Sequence, residues 1–114
     1  HPKNRIEKEY IALTDKFISE KNINKIRKGI FIGSNEKGRA RIVSQKMNKG
    51  HIEVTMILKQ GKKNEIRRIF KFLDLNLMSL KRVRIGQIKL SNLALGSWRL
   101  LSKKELHFLS EIQS

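Results

Sequence analysis

"HIEVTMILKQGKKNEIRRIFKFL", residues 51–73, changes its hydrophobic period halfway along. In its first part Ile52, Val54, Met56 and Leu58 alternate with His51, Glu53, Thr55 and Ile57. A period of two sends successive side chains to opposite faces of a strand. Beyond Gly61 the apolar residues are Ile66, Ile69, Phe70 and Leu73, spaced i, i+3, i+4 and i+7, which is one face of a helix. A clear strand therefore leads straight into an amphipathic helix.

Upstream, "KEYIAL" (8–13) reads as a first strand, with Ile11 and Leu13 on its buried face and Tyr10 and Ala12 pointing the other way. "TDKFISEKNINKIRKG" (14–29) reads as a short helix, with Thr14 or Asp15 as N-cap and Gly29 as its stop. "IFIG" (30–33) is a brief strand, and a turn around Lys37-Gly38 leads to a strand near Ala40 to Gln45. The "KMNKG" stretch then joins that strand to residues 51–59 as a hairpin. Downstream, "LMSLKRVRIG" (77–86) is extended and basic and "QIKL" (87–90) follows it. Ser102 with Glu105 three residues later forms a capping box ahead of Leu106, Leu109 and Ile112, so the chain closes on a helix. Strands and helices do not alternate as a doubly wound parallel sheet requires. The expected class is α+β, a mainly antiparallel, mixed sheet with flanking helices, forming one domain over residues 1–114.

Lys and Arg number 26 against 10 Asp and Glu, a formal net charge of +16. Such a field draws a polyanion and makes binding salt-dependent, so RNA or DNA is the leading partner class. There is no Cys, which excludes disulfides and thiolate metal sites. His1, His51 and His107 are too scattered for a ligand pair, and no zinc site is expected. No apolar run is long enough for a membrane helix, and "HPKNRIEKEY" lacks the apolar middle of a secretory signal. These features lead us to expect a soluble, cytoplasmic protein without a membrane partner.

Within "GKKNEIRR" (61–68), Lys63, Arg67 and Lys71 form an i, i+4, i+8 stripe flanking the apolar face, while Arg68 points nearly opposite it. On the wheel alone, Arg67 borders the core and Arg68 meets solvent. A flank arginine can hold its planar fork against a carboxylate or phosphate, or it can be an ordinary solvated cation. Tyr10, beside Lys8, is suited to stack on a base or to fill a second core layer with its hydroxyl satisfied. Strict alternation in "LKRVRIG" places Arg82 and Arg84 with Leu80 on one face, which suits a base edge and phosphates but also suits a charged edge strand. No phosphate-binding loop, Ser/His/Asp set or paired carboxylates can be read.

The ordered set "KEYIAL", "GKKNEIRRIFKFL", "LKRVRIGQIKL" and "LALGSWRLLSKKEL" resembles the C-terminal half of the catalytic domain of RNA pseudouridine synthases, in the branch that modifies bacterial ribosomal RNA. The resemblance runs from "HPK" to the final helix. It implies isomerisation of uridine without a cofactor, by an Asp nucleophile in a stretch like GRLD. It further implies that Tyr10 packs on the uracil, that Arg67 ion-pairs with the nucleophilic Asp, and that Leu80 lines the uracil pocket. Lys8 lies beside Tyr10, and Lys62, Lys63, Arg68, Arg82 and Arg84 match basic positions more loosely; RNA contact is the expected role of all six.

No GRLD occurs in the 114 residues, and neither Asp15 nor Asp74 has the right surroundings. Covalent catalysis needs its nucleophile, so the polypeptide alone is expected to be inactive. It would be a portion of an enzyme whose nucleophile lies upstream of His1, with an exposed sheet edge suited to dimerisation. The competing reading is a stand-alone basic RNA-binding or ribosome-associated module without catalysis. An in-frame GRLD upstream of His1 decides for the enzyme, and a start codon near Pro2 decides for the module.

Overall fold

The computed structural model describes residues 6–59 and 61–89, and the expected helix after Ser102 lies outside them. Among the described residues, seven strands and two helices follow in the order β1 (Lys8–Thr14), α1 (Glu20–Lys28), β2 (Ile30–Phe31), β3 (Lys37–Gly38), β4 (Arg41–Asn48), β5 (His51–Leu58), α2 (Glu65–Phe72), β6 (Leu77–Ile85) and β7 (Ile88–Lys89). Five strands form one sheet in the order β4-β5-β1-β6-β7, and β2 and β3 form a separate ribbon. Every pairing among the described strands is antiparallel. The α+β class read from the sequence is the class of the fold.

The alternation in residues 51–58 works as expected, with Ile52, Val54, Met56 and Leu58 all buried on one face. Ile66, Ile69 and Phe70 of α2 and Ile26 of α1 pack onto that face and join a single core with Ile32 and Ala40. Each such side chain withdrawn from water contributes roughly 1.5–3 kcal/mol before the entropy of ordering it is counted. The hairpin between β4 and β5 turns at Lys49 and Gly50, both with positive φ, as a two-residue connection between twisted strands requires.

Four local expectations are overturned. First, β1 buries Ala12 and Thr14 toward the core, whereas Ile11 and Leu13 are only half-buried on the other face. Ala12 sits between Val54 and Leu80 in register and is fully buried. Second, α1 begins at Glu20: the Ser19 hydroxyl, not Thr14 or Asp15, accepts from the backbone N–H of Asn22 at 3.2 Å. Phe17 and Ile18 precede the helix because the Gln45 side chain holds the Ile18 backbone, accepting from its N–H at 2.7 Å and donating to its carbonyl at 3.1 Å. Third, Lys37-Gly38 is strand β3, and the turn lies at Ser34 and Asn35, both at positive φ. Fourth, Arg82 and Arg84 do not share a face, for reasons given below. Gly29 ends α1 as expected, at φ 110°, a conformation that a side chain resists.

Candidate active-site and RNA-binding cleft

Where β1, the end of β5, the start of α2 and the middle of β6 meet, a cleft of about 310 Å³ opens, and residues 61–67 form one wall. Opposite stand Lys8 and Tyr10 of β1 with Leu80 and Arg82 of β6. These neighbours follow from register: Tyr10 faces Arg82, and Ala12 faces Leu80. Leu58 and Ile66 supply an apolar floor.

Tyr10, Arg67 and Leu80 thus line one cavity together with Lys8, Lys62, Lys63 and Arg82, although these seven residues span more than seventy positions of sequence. Arg68 and Arg84 are not in its lining. Among the described residues, five cationic side chains and one carboxylate, Glu65, surround the opening. An aromatic ring beside an apolar floor, inside a cationic rim, can hold a planar base while its phosphates meet the cations.

The two arginines of "IRR" exchange the positions expected of them. Arg67 is exposed on the cleft side. Arg68 folds back over the β2–β3 turn: its Nε donates to the Ile32 carbonyl at 3.1 Å, Nη2 to Gly33 at 2.9 Å and Nη1 to Lys63 at 3.0 Å. Its Nη1 also lies 2.8 Å from the Glu36 carboxylate. A wheel drawn for one helix shows only the stripe that meets the sheet, and here the β2–β3 turn covers a second side of α2. Arg68 therefore holds protein carbonyls where solvent exposure was expected.

The arginines of "RVR" separate as well. Between Glu9 and Tyr10 the β1–β6 register shifts, so that Glu9 faces Arg84 and Tyr10 faces Arg82, leaving Val83 as the extra residue of a bulge. Adjacent residues of β1 lie on opposite faces, and the bulge carries the two arginines to those opposite faces in turn. Arg82 reaches the cleft, where its Nε donates to the Tyr10 hydroxyl at 3.1 Å and its Cζ lies 5.4 Å from the ring centroid. Arg84 pairs with Glu9 at 2.8 Å and Glu7 at 3.3 Å on the far side. The Glu9 hydrogen bond raises the Arg84 pKa above its ordinary value; desolvation opposes the rise and Glu7 reinforces it.

Glu65 went unnoticed in the sequence. It is buried at 4% exposure, and its carboxylate accepts from the backbone N–H of Arg39 at 2.9 Å and, weakly, from that of Lys62 at 3.4 Å. The side chain ties residues 61–64 to the β3–β4 junction and so shapes the cleft wall. A single Glu among the four cations of "GKKNEIRR" looks like an exposed counter-charge, and the contact with Arg39 spans 26 positions. Gly61 was also missed as a wall residue: a Cβ there would lie 2.9 Å from Lys8 Nζ, the movable end of a lysine side chain.

Among the described residues, no group of His, Cys, Asp or Glu side chains could hold a metal ion, and no helix is long and apolar enough to cross a membrane.

No family model matches the chain. Individual relatives do. An uncharacterized RNA pseudouridine synthase of Aquifex aeolicus is 30% identical over 113 residues, covering 98% of this chain and 45% of the relative. Ribosomal large subunit pseudouridine synthase B of Vibrio vulnificus is 27% identical over 116 residues, covering 98% of this chain and 35% of the relative. A crystal structure of a pseudouridylate synthase superimposes with a TM-score of 0.68 at 21% identity, over 92% of this chain and 45% of that one. The chain spans less than half the length of these relatives.

Proposed function

We propose that this chain, which belongs to the RNA pseudouridine synthases and corresponds to less than half of the relatives reported above, forms one wall of the uridine-binding active site of such an enzyme, the C-terminal portion of its catalytic domain. The observation that supports this reading is the convergence of Tyr10, Arg67 and Leu80 in one cleft. In this reading Tyr10 packs on the uracil ring, Leu80 lines its pocket, and Arg67 pairs with the carboxylate of the nucleophile. Lys8, Lys62 and Lys63 meet the RNA backbone. Ribosomal RNA is the proposed substrate.

The division of labour has a physical basis. A cation beside a carboxylate favours its ionised, nucleophilic form, and a planar guanidinium also fixes the carboxylate's orientation. Arg67 is suited to that task because Arg68, its neighbour, is already committed to three carbonyls and Glu36. Within these 114 residues neither Asp15 nor Asp74 lines the cleft. The nucleophile is proposed to come from a segment other than residues 1–114.

The test is tritium release from ribosomal RNA labelled with [5-³H]uridine. The 114-residue polypeptide alone is expected to release none, and the polypeptide of the parent reading frame, bearing a GRLD-like stretch, is expected to turn over. In that longer polypeptide Arg67→Ala abolishes release while RNA affinity stays within about threefold, the size expected for one surface cation. Wild-type turnover by the Arg67→Ala protein rejects the role given to Arg67. Release by the 114 residues alone rejects the missing nucleophile.

A further inference from the structure

We infer that Arg82 is a positioning residue for Tyr10: it occupies the acceptor side of the phenol oxygen and so leaves the phenolic O–H to donate to an acceptor oxygen of the ligand in the cleft. The basic residues of β6 gave no reason to single out Arg82 from Arg84, and RNA contact was expected of both. The structure separates them. The Val83 bulge gives Arg84 to Glu7 and Glu9 on the far face and brings Arg82 to Tyr10 on the cleft face.

The polarity follows from hydrogen-bond chemistry. A guanidinium has donors only, so in the Arg82–Tyr10 contact the phenol oxygen must accept. The phenol's single proton is then directed to another acceptor. Because Arg82 Cζ stands 5.4 Å from the ring centroid, the cation also contacts the ring, which limits rotation of Tyr10 out of the cleft. The Tyr10 ring packs against the core, with Leu80 beside it, so its remaining freedom is chiefly what Arg82 removes. The ligand class is one that places a carbonyl oxygen beside the ring, as a pyrimidine base does. Only this identification of the ligand rests on the function proposed above. The Arg82–Tyr10 relation stands on the geometry.

The experiment exploits the fact that Tyr10 is the one tyrosine in the sequence. The 114-residue chain labelled with [¹³Cζ]tyrosine gives a single carbon signal attached to the phenol oxygen. Arg82→Gln is expected to move that signal, and Arg82→Lys to restore it in part, since a lysine ammonium can donate but cannot fork. Lys81→Gln removes one positive charge from the adjacent, opposite-facing position of β6, where Lys81 faces Ile11, and is expected to leave the signal in place. Equal displacement in Arg82→Gln and Lys81→Gln, or none in either, overturns the inference.

A second arm measures binding of a short oligouridylate at several salt concentrations. Arg82→Gln and Tyr10→Phe are each expected to weaken it by about three- to tenfold, the weight of one neutral hydrogen bond, and the double variant to be no weaker than either. The dependence of log affinity on log salt is expected to stay unchanged. A slope reduced by about 0.7, the loss of one phosphate contact on a single strand, would make Arg82 a backbone contact and overturn its positioning role. Absence of any oligouridylate binding by the wild-type chain counts against the proposed function, whereas the carbon signal still decides the Arg82–Tyr10 relation.

Discussion

Replacing Arg68 by Ala should destabilise the fold far more than replacing Arg67, its neighbour in "IRR". The Arg68 guanidinium donates to the carbonyls of Ile32, Gly33 and Lys63 and pairs with Glu36, and its side chain is 22% exposed. The two part-buried bonds, to Ile32 and Gly33, contribute about 1–1.5 kcal/mol each once water can reach the vacated carbonyls, below the roughly 1.5–3 kcal/mol of a buried charged bond. The exposed bond to Lys63 and the Glu36 pair add little beyond this. The expected loss is therefore about 2–3 kcal/mol. For a chain of 114 residues the unfolding entropy is about 0.24 kcal/mol/K, so Tm falls by about 8–12 °C. Arg67→Ala, at an exposed position, should stay within about 0.5 kcal/mol of wild type, or 2 °C. Arg68→Lys should lose more than half of the Arg68→Ala effect, because a point charge cannot serve two carbonyls and a carboxylate at once. Thermal and urea unfolding followed by far-ultraviolet circular dichroism measures all three. If Arg68→Ala and Arg67→Ala melt within about 2 °C of each other, the claim that Arg68 holds the β2–β3 turn onto α2 is wrong.

Two further variants probe packing and charge away from the cleft. Gly38→Ala puts a methyl 2.8 Å from Ile69 Cγ1 and 3.1 Å from two carbons of Ile32; unfolding in urea should show a loss of about 1–3 kcal/mol from overpacking, and an unchanged midpoint would mean that the ribbon is free to move off α2. Arg84→Gln should cost about 0.5 kcal/mol in the same measurement, because its carboxylate partners are each more than a quarter exposed. The raised folded-state pKa of Arg84 stabilises the fold at every pH below the arginine's unfolded value and loses that contribution only as pH rises through the folded one. Titration of Arg84 should therefore give a flat stability profile from about pH 6 to 10, and a Tm difference between wild type and Arg84→Gln that changes across that range would contradict it.

The parts of the fold legible in the sequence are those in which one element's own period decides burial. Residues 51–58 and 65–72 qualify because each carries one strongly apolar, buried face. Residues 8–14 do not, since β1 has apolar residues on both faces. Ranking side chains by hydrophobicity there favours Ile11 and Leu13, yet it is Ala12 at 0% exposure and Thr14 at 2% that the core encloses. Space, not apolarity, selects them. The start of α1 was hidden for another reason: Thr14, Asp15 and Ser19 are all capping residue types, and the Gln45 side chain, 27 positions away, holds the Ile18 backbone ahead of Ser19.

The resemblance named Tyr10, Arg67 and Leu80, which share the cleft, but it named Arg68 and Arg84 as well, and the sequence alone could not say which arginines reach it. For "RVR" the answer is contained in "EKEY", the strand alongside. Glu9 and Tyr10 are adjacent and so face opposite ways, while Arg82 and Arg84 are two apart and would face the same way in a regular strand. One arginine can satisfy its partner without a bulge, but two cannot. The extra residue at Val83 resolves the mismatch, giving the carboxylate face its cation and the tyrosine face its own. A register shift of this kind costs one unpaired position in the ladder. The gain is that an otherwise neutralised guanidinium is delivered to the phenol oxygen, so the bulge sets which end of β6 is structural and which end serves the cleft.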